Sequence, residues 1–211
     1  MPNLPLLQSV VASVALVGAL VIGGQAVAAD DDDALQAFKR KHDKVVAMVK
    51  HRAKPEQLQA EVDALLDYKW IAEAALGGVV HNERRYDRRC EPRCDEFETL
   101  LTRLIRENYL KRIRSDKKHQ VEYVGEERRP RATKVTTRVK LVKNGRTQTI
   151  EIAYIMHKVE GGRWQVRDII TDGVSLARNY KYEFNKILRE KGIDELIARL
   201  ENKLAEVAKK D

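Results

Sequence analysis

Asp168 stands inside the run RWQVRDII, Arg163 to Ile170, as a single carboxylate among apolar and aromatic residues. Apolar surroundings raise a carboxyl pKa and can turn the group into a general acid or base near neutrality. Such chemistry needs a partner group, and none is identifiable from spacing. The competing reading is an aspartate that caps a turn or pairs with a cation near a strand end. Ser175 lies in G-V-S-L, which lacks the second Gly of a G-x-S-x-G elbow. It suits a helix N-cap better than a nucleophile. The five His are scattered: His42 and His51 fall on polar helical stretches and His157 within a strand. H-E-x-x-H, the P-loop and G-x-G-x-x-G are absent. Cys90 and Cys94, in RRCEPRC, leave three readings open. These are a disulfide of an exported protein, two free thiols, or part of a metal site. His81 would supply only a third ligand, where structural zinc takes four. Pro92 favours a turn between the two sulfurs.

The apolar residues are more informative. In GVSLARNYKYEFNKILREKGIDELIARL, Gly173 to Leu200, the residues Tyr180, Tyr182 and Phe184 crowd about one helical turn in a chain with 6% aromatic residues. Leu176, Tyr180, Phe184, Ile187 and Leu188 share one face of the first helix. Leu196, Ile197, Leu200, Leu204 and Val207 share one face of the second. Ser175 and Asp194 can N-cap them, and Gly192 can end the first. Such a stripe either seals a core or walls a cavity for an apolar ligand, and periodicity alone does not separate the two.

The elements that must position these residues follow from the same periodicities. From Asp33 to Gly78 the spacing is helical, with Leu35, Phe38, Val45, Val46 and Val49, then Leu58, Val62, Leu65 and Leu66. A further helix from about Asp95 carries Phe97, Leu101, Leu104, Ile105 and Tyr109 on one side. From Gln120 the period becomes two, in about four β-rich runs separated by Arg129-Pro130, Asn144-Gly145 and Gly161-Gly162. Asn-Gly predicts a tight hairpin, with Val139 opposite Ile150 and Thr137 opposite Ile152. Val135, Val139, Leu141, Ile150, Ile152, Tyr154 and Met156 then share one face. Ala153, Ile155 and Val159 on the other face predict cover on much of both. Whether Val166 or Ile169 joins the first face depends on the Gly161-Gly162 loop, because a one-residue slip flips the strand. The predicted class is α+β, an antiparallel sheet packed with N-terminal and C-terminal helices.

The first 29 residues hold no acidic or basic side chain, and an apolar run from Val10 to Ile22 leads to Ala26-Val27-Ala28-Ala29. This predicts a secretory signal peptide over residues 1–29, followed by a single domain over 30–211. An uncleaved anchor is the alternative. The net charge of +8 falls after the leader and favours anionic partners. Export disfavours nucleic acid among these, and the clusters ERRYDRR and EERRPRATK lack interleaved stacking aromatics.

The C-terminal third resembles the MlaC, or Ttg2D toluene-tolerance, family of periplasmic phospholipid-binding proteins. The resemblance rests on Trp164, Val166 and Asp168 in W-x-V-x-D, on Gly173-Val174-Ser175, and on Lys191-Gly192-Ile193-Asp194 with Leu196 and Leu200. DYKWIAEAALG, Asp67 to Gly77, and Phe97, Leu101 and Tyr109 extend it over most of the chain. The RRYDRRCEPRCDEF linker departs from the family pattern. The resemblance implies a carrier without cofactor or bond-breaking chemistry, which holds the acyl chains of a glycerophospholipid between sheet and helices. It implies transport across the periplasm between an outer-membrane lipoprotein–porin complex and an inner-membrane ABC transporter with its membrane-anchored periplasmic subunit. A monomer is expected. The acyl site is then expected at Leu76, Tyr109, Val139, Leu141, Ile152, Tyr154, Met156, Ile169, Val174, Leu176, Tyr180 and Phe184. The rival readings are a small α+β enzyme using Asp168, or a ligand-free basic envelope scaffold.

Overall fold

The computed structural model describes residues 33–77, 89–114, 120–143 and 146–209. The expected leader and the Asn144-Gly145 turn lie outside these residues. Helix α1 spans Ala34–Lys50, and its N-cap Asp33 accepts from the Gln36 N–H. The stretch expected to continue as one helix divides in two, α2 at Pro55–Leu65 and α3 at Tyr68–Leu76. The division has a tertiary cause. Leu66 bridges Val166 in parallel, the Asp67 N–H donates to the Val166 carbonyl, and Asp67 then caps α3 through the Trp70 N–H. Helix α4 spans Cys94–Arg114.

The strands are β1 Gln120–Arg129, β2 Ala132–Lys143, β3 Arg146–Lys158, β4 Trp164–Thr171 and the two-residue β5 Val174–Ser175. They form one antiparallel sheet in chain order, one short edge strand beyond the four expected. The predicted β2–β3 register holds, with Val139 opposite Ile150 and Thr137 opposite Ile152. Helix α5, Leu176–Ala208, is broken at Gly192, where φ is 78° and ψ is −174°. That conformation is essentially restricted to glycine, so the predicted end of the first C-terminal helix is present as a break between residues 176–191 and 193–208.

The question of Val166 against Ile169 resolves through a bulge. Tyr154 pairs with Ile169 and Met156 with Val166, while Arg167 is the extra residue. The bulge resets the alternation, so both Val166 and Ile169 lie on the face of Tyr154. The guanidinium of Arg167 sits 5.0 Å over the Trp70 ring of α3. A second bulge between Tyr123 and Gly125 keeps Tyr123 opposite Thr137. The helices cover the face that carries Val135, Tyr154, Met156 and Val166, all buried in one apolar cluster with Phe38, Leu76, Phe97 and Phe184. The opposite face is covered only in part: Ala153 is buried and Ile155 half-buried, but Arg138 and Glu151 are exposed.

A candidate apolar site between sheet and helices

The inner face of the sheet meets two aromatic groups. Helix α1 brings Phe38 to 4.1 Å from the Tyr154 ring, with His42 stacked on Phe38 at 5.4 Å and Tyr123 edge-on at 6.3 Å. Helices α4 and α5 bring Phe97 edge-on to Phe184 at 5.8 Å, and Tyr180 stacks on Phe184 at 5.1 Å. Arg112, exposed on α4, lies close enough to Tyr154 and to Tyr180 for its charge to act on both phenols. Burial outweighs that charge and pushes each phenol up to about 12. The two groups therefore face one interior region lined by β3, α1, α4 and α5.

Most of the residues named from the sequence meet here. Leu76, Tyr109, Tyr154, Met156 and Phe184 are buried in the apolar cluster, and the half-buried Ile152, Ile169 and Tyr180 pack against it, while Val139 and Leu176 are half-buried but not part of it. The side chain of Leu141 lies outside the described residues. Val174 lies apart from these residues. It pairs with Thr171 at the sheet edge and is 63% exposed, so it sits outside the buried interior. The aromatic turn also divides. Tyr180 and Phe184, four apart, share the inner face, while Tyr182 lies about 200° round the helix from Tyr180 and is 74% exposed. Phe38, Tyr123, Phe97 and Thr137 were absent from the expected site. Phe38 and Phe97 were visible as helix-stripe residues, but only the packing shows which sheet residue each one meets.

Polar groups around this interior are held by one another. The Tyr123 hydroxyl donates to Asp43 Oδ1 at 2.5 Å and lies 2.9 Å from His42 Nδ1. One hydroxyl proton serves Asp43, so neutral His42 carries its proton on Nδ1 and donates it to Tyr123. Burial lowers the His42 pKa, partly offset by Asp43. Below about pH 6.5 the unfolded chain takes up a proton that the folded ring resists, so stability falls as pH drops and levels off below the folded pKa. Thermal midpoints measured from pH 7.5 to 5 should fall, with a shallower slope in His42→Gln. Equal slopes would remove His42 from the acid response. Across the sheet, His157 Nε2 is 2.8 Å from Asp67 Oδ2. Burial raises the Asp67 pKa, but the bonds from His157 and the Trp70 N–H win and hold it below the usual carboxylate value. Arg106 grips Asp63 through two bonds, of 2.7 and 2.8 Å, and joins α4 to α2.

Tyr109 is different. It is 8% exposed, and its hydroxyl has no hydrogen-bond partner among the described residues. Burial and the nearby phenols of Tyr154, Tyr123 and Tyr68 push its pKa well above the usual value, so it remains a neutral donor.

Asp168 is fully used structurally. Its Oδ1 accepts from the Ile169 and Ala177 N–H groups at 2.9 and 3.0 Å, and its Oδ2 from the Ser175 hydroxyl at 2.6 Å. Ser175 in turn accepts from the Arg178 N–H at 3.1 Å, as its predicted capping role requires. Cys90 and Cys94 form a disulfide. Its flanking arginines fasten neighbouring helices. Arg89 donates to the Leu76 carbonyl at 2.8 Å and to Asn185. Arg93 donates to Glu96 and to Asp194, the residue expected to cap the second C-terminal helix, each at 2.7 Å. The disulfide segment therefore holds α5 on both sides of Gly192. Among the described residues no cluster of His, Cys, Asp and Glu could hold a metal ion, and no helix is long and apolar enough to cross a membrane.

Comparison with curated proteins finds no match. Among solved structures, the chain is similar to the phospholipid-binding protein from Ralstonia solanacearum, determined in complex with a phospholipid at 1.53 Å. The two share 22% identity with a TM-score of 0.64, over 84% of this chain and 99% of that one. At that identity the likeness is one of fold. The family model described as MlaC protein matches residues 30–202, which takes in every strand described above and every helix except the last turns of α5. The chain belongs to the MlaC family.

Proposed function

We propose that this protein is a phospholipid carrier, which binds the acyl chains of a glycerophospholipid between the inner face of the sheet and helices α1, α4 and α5. One observation carries the reading. Half-buried apolar residues, Ile152, Ile169 and Tyr180, line the interior beside the buried aromatics, in a chain of the MlaC family whose fold is shared with a phospholipid-bound protein. Each buried CH₂ is worth about 0.8 kcal/mol, so acyl chains leave water only for an apolar chamber of this kind. Such a carrier breaks no bond and needs no cofactor. The engagement of Asp168 in three hydrogen bonds speaks against the acid–base alternative. We place the carrier in the periplasm, exported by the leader over residues 1–29. There it moves lipid between an outer-membrane lipoprotein–porin complex and an inner-membrane ABC transporter with its anchored periplasmic subunit. The basic surface suits a search over anionic membranes. Organic extraction of protein purified from the cell envelope, followed by lipid mass spectrometry, should yield near-stoichiometric diacyl glycerophospholipid. Protein that carries no lipid, and takes none from vesicles, would overturn the reading in favour of a ligand-free scaffold.

A further inference from the structure

We propose that the Tyr109 hydroxyl is a specificity group, which donates a hydrogen bond to a neutral oxygen of the bound lipid, the carbonyl of an acyl ester. The inference rests on the carrier reading and extends it from apolar burial to a polar contact inside the chamber. Buried tyrosine hydroxyls are normally paired, and an unpaired one calls for a partner. Tyr109 is 8% exposed, and no described residue bonds its hydroxyl. Of the neighbouring phenols, Tyr123 donates to Asp43, Tyr154 lies against Phe38, and Tyr68 faces the Arg106 guanidinium, 5.8 Å from its ring.

The chemistry of a diacyl lipid leaves few candidates. Acyl methylenes offer no acceptor. A phosphate at this depth would be a buried charge, which is costly without a paired cation. The ester carbonyls are neutral acceptors, and they lie a few bonds inward from the phosphate. The helix supports that order. Arg112, three residues on from Tyr109, is exposed and close to both Tyr154 and Tyr180. Residues three apart share a helix face and lie about 4.5 Å apart along the axis. A lipid with its head group beside Arg112 would therefore bring its ester region level with Tyr109. A hydroxyl on an acyl chain would offer the same chemistry from another source.

The test is competition against an NBD-labelled phosphatidylglycerol by three unlabelled lipids. These are diester phosphatidylglycerol, its diether counterpart without carbonyls, and a diether carrying one chain hydroxyl. The wild-type protein should prefer the diester over the plain diether by roughly three- to tenfold, the size of one net hydrogen bond. Tyr109→Phe keeps the ring and should bind the two equally. A preference for the hydroxylated diether, lost in the variant, would assign the oxygen to the chain instead of the ester. Equal binding of all three lipids by the wild type overturns the inference, as does a preference that survives in Tyr109→Phe. Displacement by none of them overturns the carrier reading and this inference with it. A second measurement needs no variant. The infrared stretch of ¹³C-labelled ester carbonyls in the wild-type complex should move to lower wavenumber than in an apolar solvent, and an unshifted band excludes the bond to the ester.

Discussion

Ile152→Asp is expected to give a folded protein that has lost its phospholipid. Ile152 is half-buried on the inner face, paired with Thr137 and with Thr171, and Thr171 pairs in turn with the exposed edge residue Val174. A carboxylate there can reach water once the chamber is empty. With acyl chains present it would be buried against methylenes without a cation, at a cost of several kcal/mol. The equilibrium should therefore favour expulsion of the lipid over unfolding. Circular dichroism should be native, and mass spectrometry of the same preparation should find almost no diacyl lipid. Tyr154→Asp gives a contrasting result. Tyr154 is 7% exposed and packed 4.1 Å from Phe38, so that charge cannot be hydrated without opening the core. Loss of about 3–5 kcal/mol, the size of a large core defect, would take a large share of a total stability of about 5–15 kcal/mol, so the midpoint of chemical denaturation should fall sharply. A folded Ile152→Asp protein that still carries its full lipid would take Ile152 out of the site.

Asp168→Ala is expected to be the most damaging single change among the polar residues. It strips the Ala177 N–H and the Ser175 hydroxyl, 5% exposed, of their acceptor and removes a negative charge from the start of α5. An orphaned buried donor costs about 1–3 kcal/mol, and a cap or helix-dipole contact adds about 1 kcal/mol. Together these predict a loss of about 3 kcal/mol in chemical denaturation, and a smaller loss for Asp168→Asn, which keeps one acceptor oxygen. Lipid content per folded molecule should be unchanged, because the carboxylate serves α5 and not the ligand. An Asp168→Ala protein as stable as the wild type would show that the cap is dispensable, and would return this residue to the list of acid–base candidates.

Local physics determined much of this protein from the sequence. Asn144-Gly145 between β-branched runs set the β2–β3 register, because a two-residue turn admits one pairing. Ser175 marked the start of α5, because its hydroxyl can take an orphan N–H of the first turn. Gly192 marked the break, because a side chain disfavours the backbone angles found there. Spacing of four placed Tyr180 and Phe184 together. The wider assignment to carriers came from the resemblance carried by Trp164 to Leu200, not from any residue's chemistry.

Other features were decided only by tertiary structure. Periodicity assumes unbroken alternation, so it could offer either Val166 or Ile169 to the inner face. The bulge at Arg167, whose side chain lies over Trp70 from another element, admits both. The division between α2 and α3 likewise depends on Val166, about a hundred residues away, which engages Leu66 and Asp67. The Val174 position reads as apolar strand, but β5 is the sheet edge, and Val174 is largely exposed there. The cysteine pair and Asp168 each had several compatible chemistries. What selects among them is the set of groups that folding brings within about 3 Å, and a one-dimensional pattern does not contain that set.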